Sequence, residues 1–117
     1  MSAPDFLFFR GSTPTLELVL PLAVSSSDTV YLTFSQGGRP VVEYAMNGSP
    51  SPAGTGSLIR AEEDENVLLL MMTQADTLAL QSGDAVLQLR LKNDVGADSF
   101  QPLTGRIGPI LKEGTIG

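Results

Sequence analysis

The strongest constraint on the fold of this chain is an alternation of apolar and polar side chains that recurs along much of its length. From Thr15 onward, leucine occupies every second position up to residue 20. Side chains of a β-strand point alternately to its two faces, so this period of two indicates a strand with one buried face. The period recurs in three further segments, whose candidate core residues are Val30, Leu32, Phe34, Val42, Tyr44, Met46, Ala85, Leu87, Leu89 and Leu91.

Turn signals separate these segments. The aromatic-rich stretch at residues 6–9 favours a strand, which Gly11 ends. Pro14 and Pro21 bound the next strand, because proline donates no ladder hydrogen bond. The sequence "QGGR" at 36–39 predicts a tight hairpin, since glycine readily adopts the positive φ angles that such turns require.

The spacing of these strands and turns predicts the fold class. Strands recur about every 8–15 residues, as in sandwiches and small barrels. A parallel α/β fold needs long crossover helices, for which the chain has no room. We therefore predict an all-β fold, an antiparallel β-sandwich of the immunoglobulin-like type with about seven strands and one short helix. Its 117 residues fit a single domain, residues 1–117.

The predicted helix follows Thr73. Thr73 and Asp76 have the spacing of a capping box, in which each side chain accepts a backbone N–H of the other residue. The helix would run from residue 74 to 80, with Leu78 and Leu80 pinning it to the core. The apolar run before it, residues 67–73, suits a strand covered on both faces or a buried helix, and periodicity does not separate the two.

Two further segments contain prolines and glycines, which interrupt strands, in place of a regular apolar-polar alternation. Residues 47–57, "NGSPSPAGTGS", form a loop that we expect to be the most mobile internal segment. Residues 99–111 are the last strand region, interrupted by two prolines and two glycines. These breakers predict an edge strand or a bulged strand.

The composition argues against catalysis. The chain has no His and no Cys, which removes the usual general base, the thiol nucleophile and the commonest metal ligands. No Ser nucleophile motif and no phosphate-binding glycine loop is present. The acidic run "EEDE" at 62–65 lacks calcium-loop spacing and indicates a solvated turn. We expect no enzyme activity, no cofactor and no metal.

The charge balance limits the classes of partner. A net charge of −6 disfavours nucleic acid and anionic membranes, and the seven basic residues form no stripe. The N-terminus lacks the basic and apolar regions of a secretory signal, and no apolar run approaches bilayer length. The sequence therefore predicts a protein that binds neither nucleic acid nor membrane and is not exported by a signal peptide.

Four stretches carry a resemblance that covers residues 8 to 116: "FFRGSTPTLELVLP", "VYLTFSQGGRPVVE", "MTQADTLALQSGDAVLQLRL" and "GRIGPILKEGTI". In this order they resemble short proteins encoded near tail genes in phages and prophages of Gram-positive bacteria. More loosely, they resemble the N-terminal β-sandwich domain of phage baseplate upper proteins. The loop at 47–57 is longer and richer in Pro and Gly than that pattern.

The resemblance implies a non-enzymatic tail or baseplate module, located in the virion or in the host cytoplasm before assembly. It would contact copies of itself, as a homo-oligomer, or other phage tail proteins. Sheet edges pair readily with another chain, which directs attention to the breaker-rich C-terminal segment and the first strand beside it. The candidate partner-binding residues are Arg10, Arg106, Ile107, Ile110, Leu111 and Lys112.

An alternative function is carbohydrate binding or host recognition. Such a module needs exposed aromatic rings on a sheet face or loop, and this chain has no Trp. Most of its seven Phe and Tyr residues sit at strand periodicity, which favours core packing instead. Met71 and Met72 point to opposite faces of one strand, so one of them is a candidate for an interface.

Overall fold

The computed structural model describes residues 4–25, 27–62, 65–92, 96–100 and 102–110. It contains nine strands and one helix, most of which begin and end at the turn signals described above. The elements are β1 (Phe6–Phe9), β2 (Thr15–Val19), β3 (Thr29–Gln36), β4 (Arg39–Met46), β5 (Ser57–Arg60), β6 (Val67–Met71), α1 (Gln74–Ala79), β7 (Gly83–Lys92), β8 (Ala97–Ser99) and β9 (Leu103–Gly108).

The strands form two sheets that pack face to face, which confirms the predicted β-sandwich. The larger sheet has the order β1-β9-β7-β3-β4, with β8 also paired to β7, and the smaller sheet has the order β2-β6-β5. The pairs are antiparallel except for β1 with β9, which run parallel. The strand count exceeds the prediction partly because β8 precedes the predicted last strand region, residues 99–111, which itself contains β9.

The core lies between the sheets and follows the predicted alternation. Val30, Leu32 and Phe34 of β3 are fully buried, as are Leu68 and Leu70 of β6. Phe34 is the centre of an aromatic cluster and meets the rings of Phe6, Phe8 and Tyr44 edge to face. Such contacts add to the large apolar area that aromatic rings bury.

The hairpin at residues 36–39 forms as predicted. Gly37 and Gly38 have φ angles of 60° and 78°, and Gln36 pairs with Arg39 across the turn. One irregularity follows it, where the register shifts between Phe34 and Ser35. The bulge allows β4 to twist away from β3 at its start.

Two expectations about the middle of the chain are corrected. Residues 67–71 form a strand whose second face is only partly covered, because Val67 is buried but Met71 is 37% exposed. Helix α1 is held by Leu80 and by the fully buried Thr77, whereas Leu78 lies at the surface. A polar residue anchors this helix because its hydroxyl has hydrogen-bond partners within the fold.

The last strand region is also corrected. Residues 103–108 lie between β1 and β7, so β9 is an interior strand of the larger sheet. The two glycines of this strand do not mark an edge. Gly105 and Gly108 face the rings of Phe6 and Phe9, and a Cβ atom at either position would overlap the ring. The edge of the sheet is therefore β1.

Candidate functional site

One edge of the larger sheet, formed by β1, has no further strand beside it in the described part of the chain. Strand β1 has β9 as its only strand partner within the described ranges. The backbone N–H and C=O groups on its other side therefore pair with no strand in those ranges. Such an edge is a template for pairing with another chain. Leu7 of β1 is 58% exposed on the outer face of the sheet, beside Arg106 in the register.

The outer face next to β1 carries an exposed ion pair. Arg106 of β9 lies opposite Asp84 of β7, and its Nη1 is 3.1 Å from the Asp84 carboxylate. Both side chains are largely solvated, so the pair contributes little to stability. It leaves a face in which apolar Leu7 lies beside two charged groups that a partner can contact.

The opposite edge of the same sheet, β4, is covered around Glu43 by the chain itself. Residues 52–54 of the predicted loop run beside β4, where Ala53 forms a parallel bridge with Glu43. The Glu43 N–H donates to Pro52 O at 2.7 Å, and the Gly54 N–H donates to Glu43 O at 2.9 Å. The loop therefore covers this edge in the way that natural sheets protect edges from pairing.

Asp76 holds that loop in place. Its carboxylate, 4% exposed, accepts the N–H groups of Thr55 and Gly56 at 2.8 Å each and the Tyr44 hydroxyl at 2.6 Å. The Thr55 hydroxyl donates to the same carboxylate at 3.0 Å. Helix α1, the loop and β4 thus meet at one buried anion.

The capping box is only half formed as a consequence. Thr73 Oγ1 accepts the Asp76 N–H at 3.3 Å, as the spacing predicts. The Asp76 side chain, however, reaches the loop, and Thr73 instead contacts Thr55 through their hydroxyl groups. A tertiary partner has replaced the local one.

The hydrogen bonds of this cluster determine its titration. Burial by itself would raise the pKa of Asp76, but the donors from Thr55, Tyr44 and Gly56 outweigh it and hold the pKa below the ordinary 3.8. Burial, and then the bond to Asp76 and its charge, raise the pKa of Tyr44 above its ordinary range. The pair therefore consists of a carboxylate and a neutral phenol across the physiological range of pH.

The residues that directly follow β1 are hydrogen-bonded to helix α1. Arg10 Nη2 donates to Leu78 O at 2.9 Å, and the Gly11 N–H donates to Thr77 Oγ1 at 3.0 Å. Thr77 in turn donates to Ser12 O at 2.8 Å. Arg10 is therefore a structural contact, although its buried Nε has no partner in the described part of the chain.

The remaining predicted partner residues divide into three groups. Ile107 is 2% exposed and belongs to the core, so its prediction as a partner contact is wrong: it lies on the inner face of β9, opposite in direction to Arg106. Arg106 and Ile110 are exposed and available. Leu111 and Lys112 lie outside the described residues.

The sequence analysis did not predict the exposure of Leu7 or the contacts of Asp76 with the loop and β4. The alternation around Leu7 contained the signal, because Phe6 and Phe8 share the inner face and leave Leu7 on the outer one. The contacts of Asp76 had no local signal, since its partners lie about 20 and 32 residues away. The expected mobile loop is thus a segment held by several hydrogen bonds.

A second buried carboxylate lies on the outer face of the larger sheet. Glu43, 8% exposed, accepts from the Thr33 hydroxyl at 2.6 Å and from the Ser51 N–H at 3.1 Å. Arg90 lies 3.4 Å from it and covers the ring of Tyr31, 5.3 Å from the ring centroid. The loop, the carboxylate and the cation together cover this part of the face.

The described residues were compared with the requirements of a metal site and of a membrane-spanning helix. No three acidic, histidine or cysteine side chains are grouped there in a way that could hold a metal ion. Glu63 and Asp64 of the acidic run lie outside the described ranges. Nor does any helix in these ranges combine the length and the apolar character that crossing a membrane requires.

Comparison with known proteins supports the fold. No protein-family model matches the chain, and no curated protein sequence is a significant match. Among solved structures, CopC from Methylosinus trichosporium OB3b is similar at 16% identity and a TM-score of 0.52, over 96% of this chain and 90% of CopC. The V domain of amphioxus IgVJ-C2 matches at 12% identity and a TM-score of 0.43, over 91% and 100%. Because the identity to CopC is only 16%, this match shows that the two chains share a fold and nothing more.

Proposed function

We propose that this chain is a non-enzymatic structural module of a phage tail or baseplate, which assembles with copies of itself or with other tail proteins. The observation that carries the assembly role is the asymmetry of the larger sheet. Its β4 edge is covered by residues 52–54, whereas its β1 edge has no strand partner within the described ranges. The connection with tails comes from the four stretches that resemble phage and prophage proteins.

The β1 edge suits pairing with an extended segment. A strand added there gains backbone hydrogen bonds, and its side chains would contact Leu7 on the outer face. Arg106 and Asp84 beside Leu7 offer both signs of charge for orienting the added segment. Four residues of β1 make a small contact, so a stable interface also needs the neighbouring outer face, including Ile110.

No observation favours the alternative of a carbohydrate-binding or host-recognition module. Rings that bind sugars must be exposed. Phe6, Phe8, Phe34 and Tyr44 are buried, Phe9 and Phe100 are half-buried, and Arg90 covers Tyr31. We therefore do not propose a second function.

The assembly role predicts the effect of a charge at the β1 edge. Replacement of Leu7 by lysine should weaken association about tenfold, because a half-exposed leucine contributes roughly 1–2 kcal/mol when it is covered. Sedimentation velocity over a range of concentrations measures the effect for self-association. Ile59→Lys is the matched control: Ile59 is 44% exposed on the smaller sheet, and its replacement should leave association unchanged.

The tail context is tested separately. We expect genes for tail proteins, holin or lysin beside the gene for this chain, and we expect an antibody against the chain to detect it in purified phage particles or in tail assembly intermediates. A chain that stays monomeric, binds a glycan in an NMR titration and is absent from particles and intermediates would contradict the proposed function.

A further inference from the structure

The backbone of Leu7 faces away from β9. In a strand, the N–H and C=O groups of one residue point to the same side, and successive residues alternate between the two sides. The Arg10 N–H donates to Gly108 O at 3.1 Å, in line with the pairing of Phe9 with Gly108 in the register. Counting back in steps of two, Phe8 also faces β9, so Leu7 and Phe9 present their backbone groups on the side that no described strand occupies.

The neighbours of Leu7 at this edge are partly occupied. Phe9 O accepts the Ser12 N–H at 3.2 Å and also the Ser12 hydroxyl. Asp5, just before β1, departs from the alternation, since its N–H donates to Thr104 O at 2.7 Å. Leu7 is thus the residue of this edge whose N–H and C=O groups both lack a partner in the described part of the chain.

The side chain of Leu7 is uncovered as well. It is 58% exposed on the outer face, beside Arg106 in the register. Arg106 is paired with Asp84 at 3.1 Å, so the two charges next to Leu7 cancel. A partner that presents a leucine here removes apolar area of both side chains from water and meets no uncompensated charge.

We propose that the partner of β1 is β1 of a second copy, paired antiparallel about a two-fold axis at Leu7. This inference rests on the proposed assembly function and names its partner. In an antiparallel ladder, the two residues of a hydrogen-bonded pair exchange both N–H···O bonds. Leu7 opposite its own copy therefore pairs all four backbone groups that lack a partner, and the two exposed side chains cover each other on the outer face.

Other registers fit this edge less well. A shift by one residue places Leu7, on the outer face, opposite an inner-face phenylalanine, whereas opposite side chains of a ladder must share a face. A shift by two places Leu7 opposite Phe9 or Asp5, each of which has one backbone group already bonded within the chain. The two-fold contact uses β1 of both copies, so this pairing closes at a dimer.

The absence of cysteine from the chain allows the geometry to be tested by thiol cross-linking. The Cα atoms of a hydrogen-bonded antiparallel pair lie about 5.5 Å apart, within the range usual for a disulfide. Mild oxidation, or a short thiol-specific reagent such as dibromobimane, should therefore link Leu7→Cys into a covalent dimer. We expect this reaction to be at least about tenfold faster than that of Ile59→Cys, because the pair holds its two thiols at a high effective concentration.

Ile59→Cys is the matched control, since Ile59 is 44% exposed on the smaller sheet. Asp5→Cys tests the direction of pairing. Asp5 is exposed, and the antiparallel register places it and its copy four residues apart along the ladder, about 14 Å, too far for either link. Asp5→Cys should therefore react as slowly as the control, with the fold of each reduced variant checked by circular dichroism.

Sedimentation of the wild type at up to about 1 mM, where a Kd of 0.1 mM is evident, should show monomer and dimer and no larger species. The inference is overturned if Leu7→Cys links no faster than Ile59→Cys, if Asp5→Cys links as fast as Leu7→Cys, or if larger species form. Detection of the chain in phage particles would then leave the proposed function in place, with a different partner at β1. A chain that is monomeric and absent from particles and assembly intermediates contradicts both.

Discussion

Replacement of Asp76 by alanine is expected to lower the free energy of unfolding by roughly 3–5 kcal/mol, because it leaves several buried donors without an acceptor. Those donors are the Tyr44 hydroxyl and the N–H groups of Thr55 and Gly56. A loss of this size is a large part of the stability of a typical domain, roughly 5–15 kcal/mol. Urea denaturation followed by circular dichroism measures it.

The control for this prediction is Asp84→Ala. Asp84 is likewise a carboxylate, here paired with Arg106, but its side chain is 87% exposed, so the expected loss is below about 1 kcal/mol. Asp76→Asn keeps one acceptor oxygen and should fall between the two. Equal losses for Asp76→Ala and Asp84→Ala would mean that the cluster does not hold the loop.

The same cluster gives the stability a dependence on pH. The pKa of Asp76 is lower in the folded state than the ordinary 3.8, so the unfolded chain takes up the proton first as the pH falls. The contribution of Asp76 is therefore complete above the unfolded pKa and is lost as the pH falls through the folded pKa. Denaturation curves at pH 7, 4 and 2.5 should show a steeper acid loss for the wild type than for Asp76→Asn. Parallel curves would contradict this assignment.

Replacement of Gly105 by valine is expected to destabilise the protein by about 3 kcal/mol, at the upper end of the range for overpacking. A Cβ atom at this position would overlap the ring of Phe6, which is buried in the aromatic cluster and has no space to move into. Valine favours strands, so any loss reflects this contact rather than local propensity. Thermal and urea unfolding measure the change.

Two further variants isolate the cause. Gly96→Val introduces the same side chain where, apart from the chain neighbours, no atom of the described residues lies within 4 Å of the added Cβ, and its effect should stay within about 0.5 kcal/mol. In a Gly105→Val background, Phe6→Ala should cost less than it does alone, because the smaller side chain relieves the overlap. Additive losses in the double variant would show that Gly105 is needed for another reason.

Much of the architecture was predictable from local pattern. Val30, Leu32 and Phe34 alternate in the sequence and are all fully buried, and the glycines of the 36–39 turn have the positive φ angles expected of them. Strand periodicity and turn chemistry act within a few residues, which is why they can be read from the chain alone.

The candidate site was less predictable, and Ile107 shows why. Ile107 lies on the inner face of β9 and Arg106 on the outer one, an alternation that the surrounding breakers obscured. The same breakers predicted an edge where the structure has an interior strand. Gly105 was interpreted as a break, whereas it provides the space that the Phe6 ring occupies. Contacts between residues about 100 positions apart leave no mark in local composition.

Alternation and turn residues were thus sufficient to predict a small two-sheet β-protein with a single short helix. Only the folded chain decided which edge of the larger sheet lacks a strand partner among the described residues, through the parallel pairing of β1 with β9 and the loop beside β4. It also turned Asp76 from a local helix cap into the acceptor that holds the loop. The reason is that strand faces are set by neighbours in sequence, whereas edges, clefts and buried charges are set by neighbours in space.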